Sequence, residues 1–334
     1  MKLKFILIGL MSIAYFSSCS DNEYYDVKGN EGCIYVKELK GSAKYPVSGS
    51  ILNVPTQSVG DADFKFPVRS TMPVKEDVKV QFVIDNKLVD SYNEEYKTQY
   101  MTLDPQYFIV ENLNLTITKG DTRSNDFLHI WIPEEKYREI EGGIYMIPIR
   151  IDKVTGYLKS TTIKENTEVY ILVSIVHSDS NLMPGNSTQG KAVTDCSGWI
   201  AEYSAPYKIE DWTYEGITDI SVALFDQIQQ TCLQPSVDFE RGDYLLVDLG
   251  KVYSDISSIE IRYGNSSYAH TQFNLYTSTD KLEWTKQGTV NVSSWSAACS
   301  FYAPLEARYI KVEGEALQYG GIYLYISDFI IYTK

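Results

Sequence analysis

Three short segments in the second half of the chain combine aromatic rings with polar side chains. They are residues 211–214 (DWTY), 262–270 (RYGNSSYAH) and 294–296 (SWS). Each falls between stretches with a strand-like pattern, so each is expected in a loop. Saccharide recognition requires a flat ring for the C–H face of a pyranose, beside polar groups that fix its hydroxyls. These segments therefore indicate loops with the chemistry of a sugar site.

The residues that catalysis would need are sparse. The chain has three His, and it contains no HExxH, no GxSxG and no phosphate-cradling Gly loop. Paired carboxylates, such as Asp61 with Asp63 and Glu134 with Glu135, lie in expected turns without a nearby His or aromatic cleft. Solvated faces explain these pairs best. Catalysis is not expected, and a hydrolase is kept as an alternative.

The first half of the chain alternates apolar and polar residues in short runs. Period-two alternation of Val, Ile, Thr and Tyr predicts strands over residues 78–84, 113–118, 127–132, 145–151 and 169–176. Helical patterns are confined to residues 87–96 and 134–140. Regularly spaced short strands with turns between them predict a β-sandwich.

The second half resumes the strand pattern after residues 177–190 (HSDSNLMPGNSTQG), whose Ser, Asn, Gly and Pro content indicates a linker. Strands are predicted over residues 198–203, 244–249, 256–263, 272–278, 308–313 and 324–332. The predicted fold class is therefore all-β, with one β-sandwich domain over residues 32–176 and a second over residues 191–334.

The first twenty residues indicate an export signal. Lys2 and Lys4 precede the apolar run 5–16 (FILIGLMSIAYF), and residues 17–19 (SSC) follow directly. This order resembles the bacterial lipobox, which implies a signal peptide over residues 1–18 and an acylated Cys19 that begins a polar tether over residues 19–31. A buried thiol is the alternative for Cys19. The acidic residues that follow resemble the surface-export signal of Bacteroidetes lipoproteins, which implies a lipid-anchored location on the outer membrane, at the cell surface.

The ordered motifs of the first half resemble the Bacteroidetes domain-of-unknown-function 1735 family. They are VKVQFVIDNKLVDSYNEEY at 78–96, YMTLDPQYFIV at 100–110, LTITKGD at 115–121, GGIYMIPIRIDKV at 142–154 and EVYILVSIV at 168–176. The resemblance implies an Ig-like sandwich of the kind found in exported lipoproteins that are encoded with glycan-uptake systems. No chemistry is known for that family, so it implies a spacer or docking domain.

The second half resembles the factor V/VIII type C, or discoidin, family. The matching motifs are LFDQIQQT at 224–231, YLLVDLGKVYSDISSIEIRY at 244–263, FNLYTSTDKLEW at 273–284, ARYIKVEG at 307–314 and ISDFIIYTK at 326–334. The resemblance implies a jelly-roll sandwich whose loops bind ligands at one end, most often galactose or hexosamine in exported bacterial proteins. Trp284, inside one motif, is expected in the core.

The discoidin resemblance implies a set of ligand-binding residues in the loops of one end: Trp212, Tyr214, Arg262, Asn265, Tyr268, His270, Trp295 and Tyr319. Alternatives stay open for some of them. The two Trp residues would otherwise cap the edge of the sandwich, His270 would be a solvated or strand-end His bonded to backbone, and Arg262 would pair with a surface acid.

A structural calcium ion is a further implication of the discoidin resemblance. Asp226 and Thr231 match the loop that holds the ion in many such sugar modules, and Asp328 stands where the family commonly has Glu. Calcium takes carboxylate, hydroxyl and backbone oxygens. This chain departs from the pattern because no Gly follows Asp226 and Cys232 replaces the usual Trp. A plain surface turn is the alternative.

Net charge and cysteine spacing argue against a nucleic-acid partner and against a zinc site. The net charge of −14, from 30 basic and 44 acidic residues, disfavours nucleic acid as a partner. The cysteines beyond Cys19 are Cys33, Cys196, Cys232 and Cys299, and they lack the spacing of zinc ligands. They permit three complete disulfide pairings, and buried thiols are the alternative.

These features together predict a surface lipoprotein that binds glycan without catalysis. Its expected partners are glycan, the outer-membrane lipid into which its anchor inserts, and a glycan importer. Two alternatives are an adhesin or assembly protein that binds a protein partner, and a glycoside hydrolase.

Overall fold

β-Strands make up most of the regular structure. The computed structural model describes residues 33–36, 46–156, 167–213, 215–228, 230–238, 240–264, 269–292, 295–317 and 324–334. Within these ranges, no helix is long and apolar enough to cross a bilayer. The predicted all-β class with two sandwiches is confirmed. The predicted signal peptide, Cys19 and the tether lie outside the described residues.

The described residues of the N-terminal half form three sheets. Its strands are β1 (Ile34–Val36), β2 (Val47–Asn53), β3 (Ser58–Asp61), β4 (Asp63–Phe66), β5 (Val68–Ser70), β6 (Val78–Ile84), β7 (Met101–Thr102), β8 (Ile109–Glu111), β9 (Asn114–Ile117), β10 (Leu128–Trp131), β11 (Gly143–Thr155) and β12 (Glu168–His177). The largest sheet has the order β3-β2-β12-β11-β6-β9, with β7 beside β11. The strands β4-β10-β8 form the second sheet and β1-β5 the third.

One of the two predicted helices forms as an α-helix. The helix α1 (Lys87–Tyr96) has the predicted bounds, and its Val89 and Tyr92 pack against Met146 and Tyr170. The second prediction, residues 134–140, is wrong, because only Glu134–Lys136 forms a 3₁₀ turn. Pro133 immediately before it is extended, and Tyr137 and Ile140 after it are buried in the core without extending the helix.

The C-terminal half is built from nine strands in the described residues. They are β13 (Lys191–Ala192), β14 (Ile200–Tyr203), β15 (Tyr207–Asp211), β16 (Thr231–Pro235), β17 (Tyr244–Tyr263), β18 (His270–Ser278), β19 (Thr285–Asn291), β20 (Ser296–Leu317) and β21 (Ile326–Thr333). The order is β15-β16-β21-β17-β20-β18-β19, with β13 beside β21 and β14 beside β17. The helix α2 (Ile220–Phe225), which is absent from the predicted elements, packs against β16 and β21.

One long strand of this half spans two predicted strands. The sequence predicts residues 244–249 and 256–263 as separate strands, but β17 runs through both and shifts register with β20 at several points between Asp248 and Ser258. Such shifts bend a strand strongly. The core on the inner faces is apolar, with Tyr263, Phe273 and Phe329 among its largest buried side chains.

The segment between the halves, residues 178–190, makes many contacts. Leu182 forms a bridge with Phe301 in β20, and Met183 N donates to Ser300 O at 2.8 Å. A direct bond between the halves runs from Gln57 Nε2 to Pro304 O at 2.7 Å. The predicted boundaries stay predictions, but this segment is bound along β20.

Two smaller expectations are resolved by burial. The cysteines of the described residues form no disulfide, and three of them are buried: Cys33, Cys232 and Cys299. Trp284 is only partly buried, so its predicted core position is wrong. It lies in the turn before β19, on the outer surface, where the Lys311 ammonium is 5.6 Å from its ring centroid.

Candidate functional site

Several strand ends meet at one end of the C-terminal sandwich. Tyr263 N donates to Trp295 O at 2.9 Å, and Gly264 N donates to Tyr325 O at 3.0 Å. His270 begins β18, and its Nδ1 lies 3.1 Å from the Tyr263 hydroxyl. We call the region where these five residues meet the loop end.

Trp212 is exposed at the loop end. It follows β15, and its N–H donates to the carbonyl of Gln230 at 3.0 Å. Its ring centroid lies 5.9 Å from that of Tyr325, and 45% of the residue is exposed. Tyr325 is absent from the predicted contacts, because it belongs to no motif and only the tertiary structure brings it to Trp212.

The turn that carries Trp212 is held by Asp211. The Asp211 carboxylate accepts from the N–H groups of Thr213 at 2.8 Å, Gly216 at 2.8 Å and Ile217 at 3.0 Å, and from the Thr213 hydroxyl. These bonds, above all the hydroxyl of Thr213, lower the pKa of Asp211 to about 2. Because these bonds already order the turn, it loses less conformational entropy when a ligand binds.

Trp295 is the second exposed indole at the loop end. It directly precedes β20, and 52% of it is exposed. Its carbonyl is fixed by the N–H of Tyr263, which ends β17. Trp212 and Trp295 are therefore both exposed, and main-chain hydrogen bonds hold both at the same end of the sheet.

Arg262 is held by an ion pair. Its Nε and Nη2 donate to the two carboxylate oxygens of Glu260 at 3.2 and 3.1 Å, and this pairing raises the pKa of Arg262. The Tyr332 hydroxyl donates to the same carboxylate at 2.7 Å. Residues two apart on a strand share a face, which brings Glu260 beside Arg262. The structure thus favours the surface-acid alternative over the predicted ligand contact.

His270 is a core residue, so its prediction as a ligand contact is wrong. Only 2% of it is exposed, and its ring packs edge-on against Tyr263 and Phe273. Burial lowers its pKa to about 3. The physical reason is the register of β18, which opposes Leu317 in β20 and turns the imidazole inward.

Four predicted contacts lie outside the described residues: Tyr214, Asn265, Tyr268 and Tyr319. The described residues that flank residues 265–268 include Gly264, which lies at the loop end. Leu317, which precedes residues 318–323, pairs with His270 there. The roles of the four side chains stay predictions.

Oxygen atoms crowd the turn between α2 and β16. The Thr231 hydroxyl lies 2.7 Å from Asp226 Oδ2, 2.9 Å from the carbonyl of Ile228 and 3.4 Å from the carbonyl of Ala223. A hydroxyl has one hydrogen to donate, so it satisfies one of these three acceptors at a time. Thr231 is fully buried, at 0% exposure.

This surplus of oxygen acceptors fits a hard cation such as Ca²⁺. Asp328 is 1% exposed, its Oδ1 has no hydrogen-bond partner within the described ranges, and burial raises its pKa, as does the charge of Asp226. Burial raises the pKa of Cys232, the residue after Thr231, as do the charges of Asp328 and Asp226, so Asp328 lies near this turn. The described residues contain no group of three acidic, His or Cys side chains that could hold a metal, so carbonyl and hydroxyl oxygens would supply most ligands.

Comparisons with known proteins give partial matches. A family model described as "-like, N-terminal domain" matches residues 27–158. No curated protein matches the sequence. A two-domain protein of unknown function from Bacteroides fragilis is similar to this chain at 15% identity, with a TM-score of 0.39, over 90% of this chain and 94% of that one.

Two carbohydrate-binding modules from Clostridium perfringens are also similar. A family 32 module in complex with galactose is 21% identical, with a TM-score of 0.33, over 42% of this chain and 97% of that one. A second family 32 module, in complex with GalNAc-β-1,3-galactose, is 14% identical, with a TM-score of 0.35, over 43% of this chain and 100% of that one.

Proposed function

We propose that this protein binds glycan without catalysis and that a galactose- or hexosamine-type sugar occupies the loop end. The observation that carries the proposal is the exposure of Trp212 and Trp295 together at that end. Exposed indoles on a prearranged backbone offer flat apolar faces for the C–H side of a pyranose, and the adjacent loops offer hydroxyl and amide groups.

The type of sugar follows from the resemblance of five ordered motifs, between residues 224 and 334, to the discoidin family. The ion pair of Arg262 and the burial of His270 reduce the set of side chains that read hydroxyls. Trp212, Trp295 and Tyr325 form the aromatic part of the site, and Tyr214, Asn265, Tyr268 and Tyr319 remain proposed contacts. A shallow site of this kind binds a single sugar with modest affinity.

Calcium belongs to the proposal as a structural ion. Asp226, Thr231 and the carbonyls of Ala223 and Ile228 would hold it, and Asp328 would add charge nearby. The ion would fix the turn that leads into β16. That turn includes Gln230, whose carbonyl accepts from Trp212 N.

The proposed location is the outer-membrane surface, with a lipid anchor on Cys19. The N-terminal sandwich would serve as a spacer or docking domain beside a glycan importer. Acylation is tested by mass spectrometry of the full chain produced in a Bacteroidetes host, together with Cys19→Ala. We expect acyl chains on Cys19 and release of the variant from the membrane fraction.

Isothermal titration of the chain from residue 20 onward with galactosides and N-acetylhexosaminides tests the sugar site. We expect weak binding that Trp212→Ala or Trp295→Ala reduces by about tenfold or more, because each loses a stacking surface. Trp284→Ala is the matched control: Trp284 is also a partly exposed indole, but it lies in the turn joining the far end of β18 to β19. Equal binding by all three variants would remove both rings from the site.

Two alternatives give different outcomes in the same preparation. An adhesin or assembly protein would capture a protein partner, and free sugar would not compete with the capture. A hydrolase would release sugar from a panel of glycans. Either result without measurable sugar binding would replace the proposal.

A further inference from the structure

The N-terminal half contains a cleft that the proposed sugar site does not use. Its volume is about 410 Å³, and its wall is lined by Asp121, Thr122, Arg123, Ser124, Asn125 and Phe127. Small-molecule sites have volumes of roughly 300–1,000 Å³. We call it the arginine cleft, for Arg123 in its wall and for Arg69 in β5, which is not in the lining but pairs with Arg123.

The wall of the arginine cleft is held against β5 by main-chain bonds. Ser70 N donates to Thr122 O at 2.8 Å, and Ser124 N donates to Val68 O at 2.9 Å. Val68 N in turn donates to Ser124 Oγ at 3.1 Å. The segment therefore continues the sheet beyond β5, and the positions of its side chains are set by the strand register.

This register places two arginines directly opposite each other. Arg69 and Arg123 form an antiparallel bridge, so their side chains share one face. Like charges in opposite positions destabilise a strand pair. Neither guanidinium forms an ion pair with a carboxylate of the described residues, although Asp121 and Asp126 belong to the same segment. A cationic pair of this kind is unusual in a chain whose net charge is −14.

One donor of this pair is buried without a partner. Arg69 Nε has no hydrogen-bond acceptor among the described residues. A buried charged donor without an acceptor is destabilising, and an oxyanion between two guanidiniums would accept from both and remove their repulsion. The Arg123 guanidinium carbon lies 5.1 Å from the centroid of the Phe127 ring, and this stacking orients its donors.

We propose that the arginine cleft binds the carboxylate or sulfate group of an acidic saccharide, with Arg69 and Arg123 as the anion ligands. Thr122 and Asn125 are exposed on the rim and supply hydroxyl- and amide-type contacts to the sugar. Phe127 in the wall presents part of its ring to the apolar side of the ligand.

The size and charge of the site favour a single acidic sugar over longer anions. The wall is short, residues 121–127, and the strongly acidic chain around it repels an extended polyanion. The oxyanion part of this inference stands on the arginine pair alone, and the saccharide part rests on the proposed glycan-binding function.

The test is titration of the full chain with glucuronate and with inorganic sulfate. Calorimetry measures the binding of both, and ligand-observed saturation-transfer NMR measures that of glucuronate. Glucose, which is neutral, is the control sugar. We expect glucuronate to bind and glucose not to compete with it. Arg69→Gln and Arg123→Gln should each weaken glucuronate binding about tenfold or more, because each removes one charged donor set. Lys119→Gln, which removes an exposed cation just before the cleft, should leave binding unchanged.

Further controls distinguish loss of the arginine cleft from misfolding and from loss of the loop-end site. Arg69→Lys keeps the charge but lacks Nε, so it should weaken binding while the chain stays folded by circular dichroism. Galactose, the sugar proposed for the loop end, should not displace glucuronate, so failure of the loop-end site and failure of the arginine cleft are distinguishable. Equal glucuronate binding by the wild type and both Gln variants overturns the proposal. Sulfate binding without glucuronate, or preferred binding of an acidic peptide, overturns the saccharide assignment.

Discussion

Tyr263 and His270 form a polar pair beneath the loop end. Both are buried, their polar atoms lie 3.1 Å apart, and the neighbouring side chain Phe273 is apolar. The environment disfavours a charged imidazole, which is why burial lowers the pKa of His270 to about 3. A strand residue whose type suits a ligand site is here a packing residue with one hydrogen bond.

This burial predicts acid sensitivity. In the unfolded chain His270 would titrate near pH ~6.5, so between pH ~6.5 and about 3 the unfolded state binds a proton that the folded state does not. The free energy of unfolding should therefore fall as the pH falls through this window, with a slope of up to about 1.4 kcal/mol per pH unit from this group. Urea unfolding at a series of pH values measures the slope.

His270→Gln is the comparison for this measurement, because an amide keeps a hydrogen-bonding group near Tyr263 and does not titrate. The variant should show a shallower decline over the same pH window, whatever its stability at neutral pH. Parallel curves for the wild type and the variant would contradict a neutral buried His270.

At the scale of elements, the turn between α2 and β16 sets the position of Trp212. Thr231 ends that turn and opens β16, and Gln230 just before it accepts from Trp212 N. The acceptor-rich group around the Thr231 hydroxyl therefore lies one residue from a bond that holds the exposed indole. An ion in this turn would order the loop end through the hydrogen bond from Trp212 to Gln230.

We expect Ca²⁺ to raise the thermal unfolding temperature of the chain relative to EDTA, because an ion that binds only the folded state stabilises it. Asp226→Asn and Thr231→Val should each lose most of this response. Asp219→Asn is the control: Asp219 caps α2 through Ser221 N and Val222 N, and Asn caps helices as well. The temperature is measured by scanning calorimetry, and an identical calcium response in Asp226→Asn would contradict this site.

At the scale of the whole molecule, residues 178–190 determine how the chain leaves the first sandwich. Asn181 is 0% exposed, and its side chain both donates to Ala303 O and accepts from Ala303 N at 2.9 Å. Its main-chain N–H donates to Gln287 O at 2.7 Å, and its carbonyl accepts from Tyr302 N at 2.9 Å. A single buried amide thus ties this segment to β19 and β20.

Asn181→Ala should destabilise the molecule by about 2 kcal/mol or more, because it leaves the buried N–H and C=O of Ala303 without partners. It should also create new cleavage sites in residues 178–190 under limited proteolysis, since the segment loses its attachment. Asp179→Ala, at an exposed position of the same segment, should change neither quantity. Unchanged stability and cleavage in Asn181→Ala would show that the other contacts are enough to hold residues 178–190 in place.

Local patterns in the sequence determined the fold class and most elements. Alternation over residues 78–84 matches β6, and the pattern at residues 87–96 matches α1, because each element buries one face at its own period. Residue types alone also indicated which rings suit a sugar, and Trp212 and Trp295 are exposed in the structure. These features depend on neighbours in the sequence.

Only the tertiary structure decided what each polar group faces. The register of β18 carries His270 into the core, and the neighbouring Glu260 takes the guanidinium of Arg262. The pairing of Arg69 with Arg123 joins positions 54 residues apart in a bridge that no local pattern contains. Strand register and bulges depend on the packing of the whole sheet, and a shift of one residue reverses the face of every side chain.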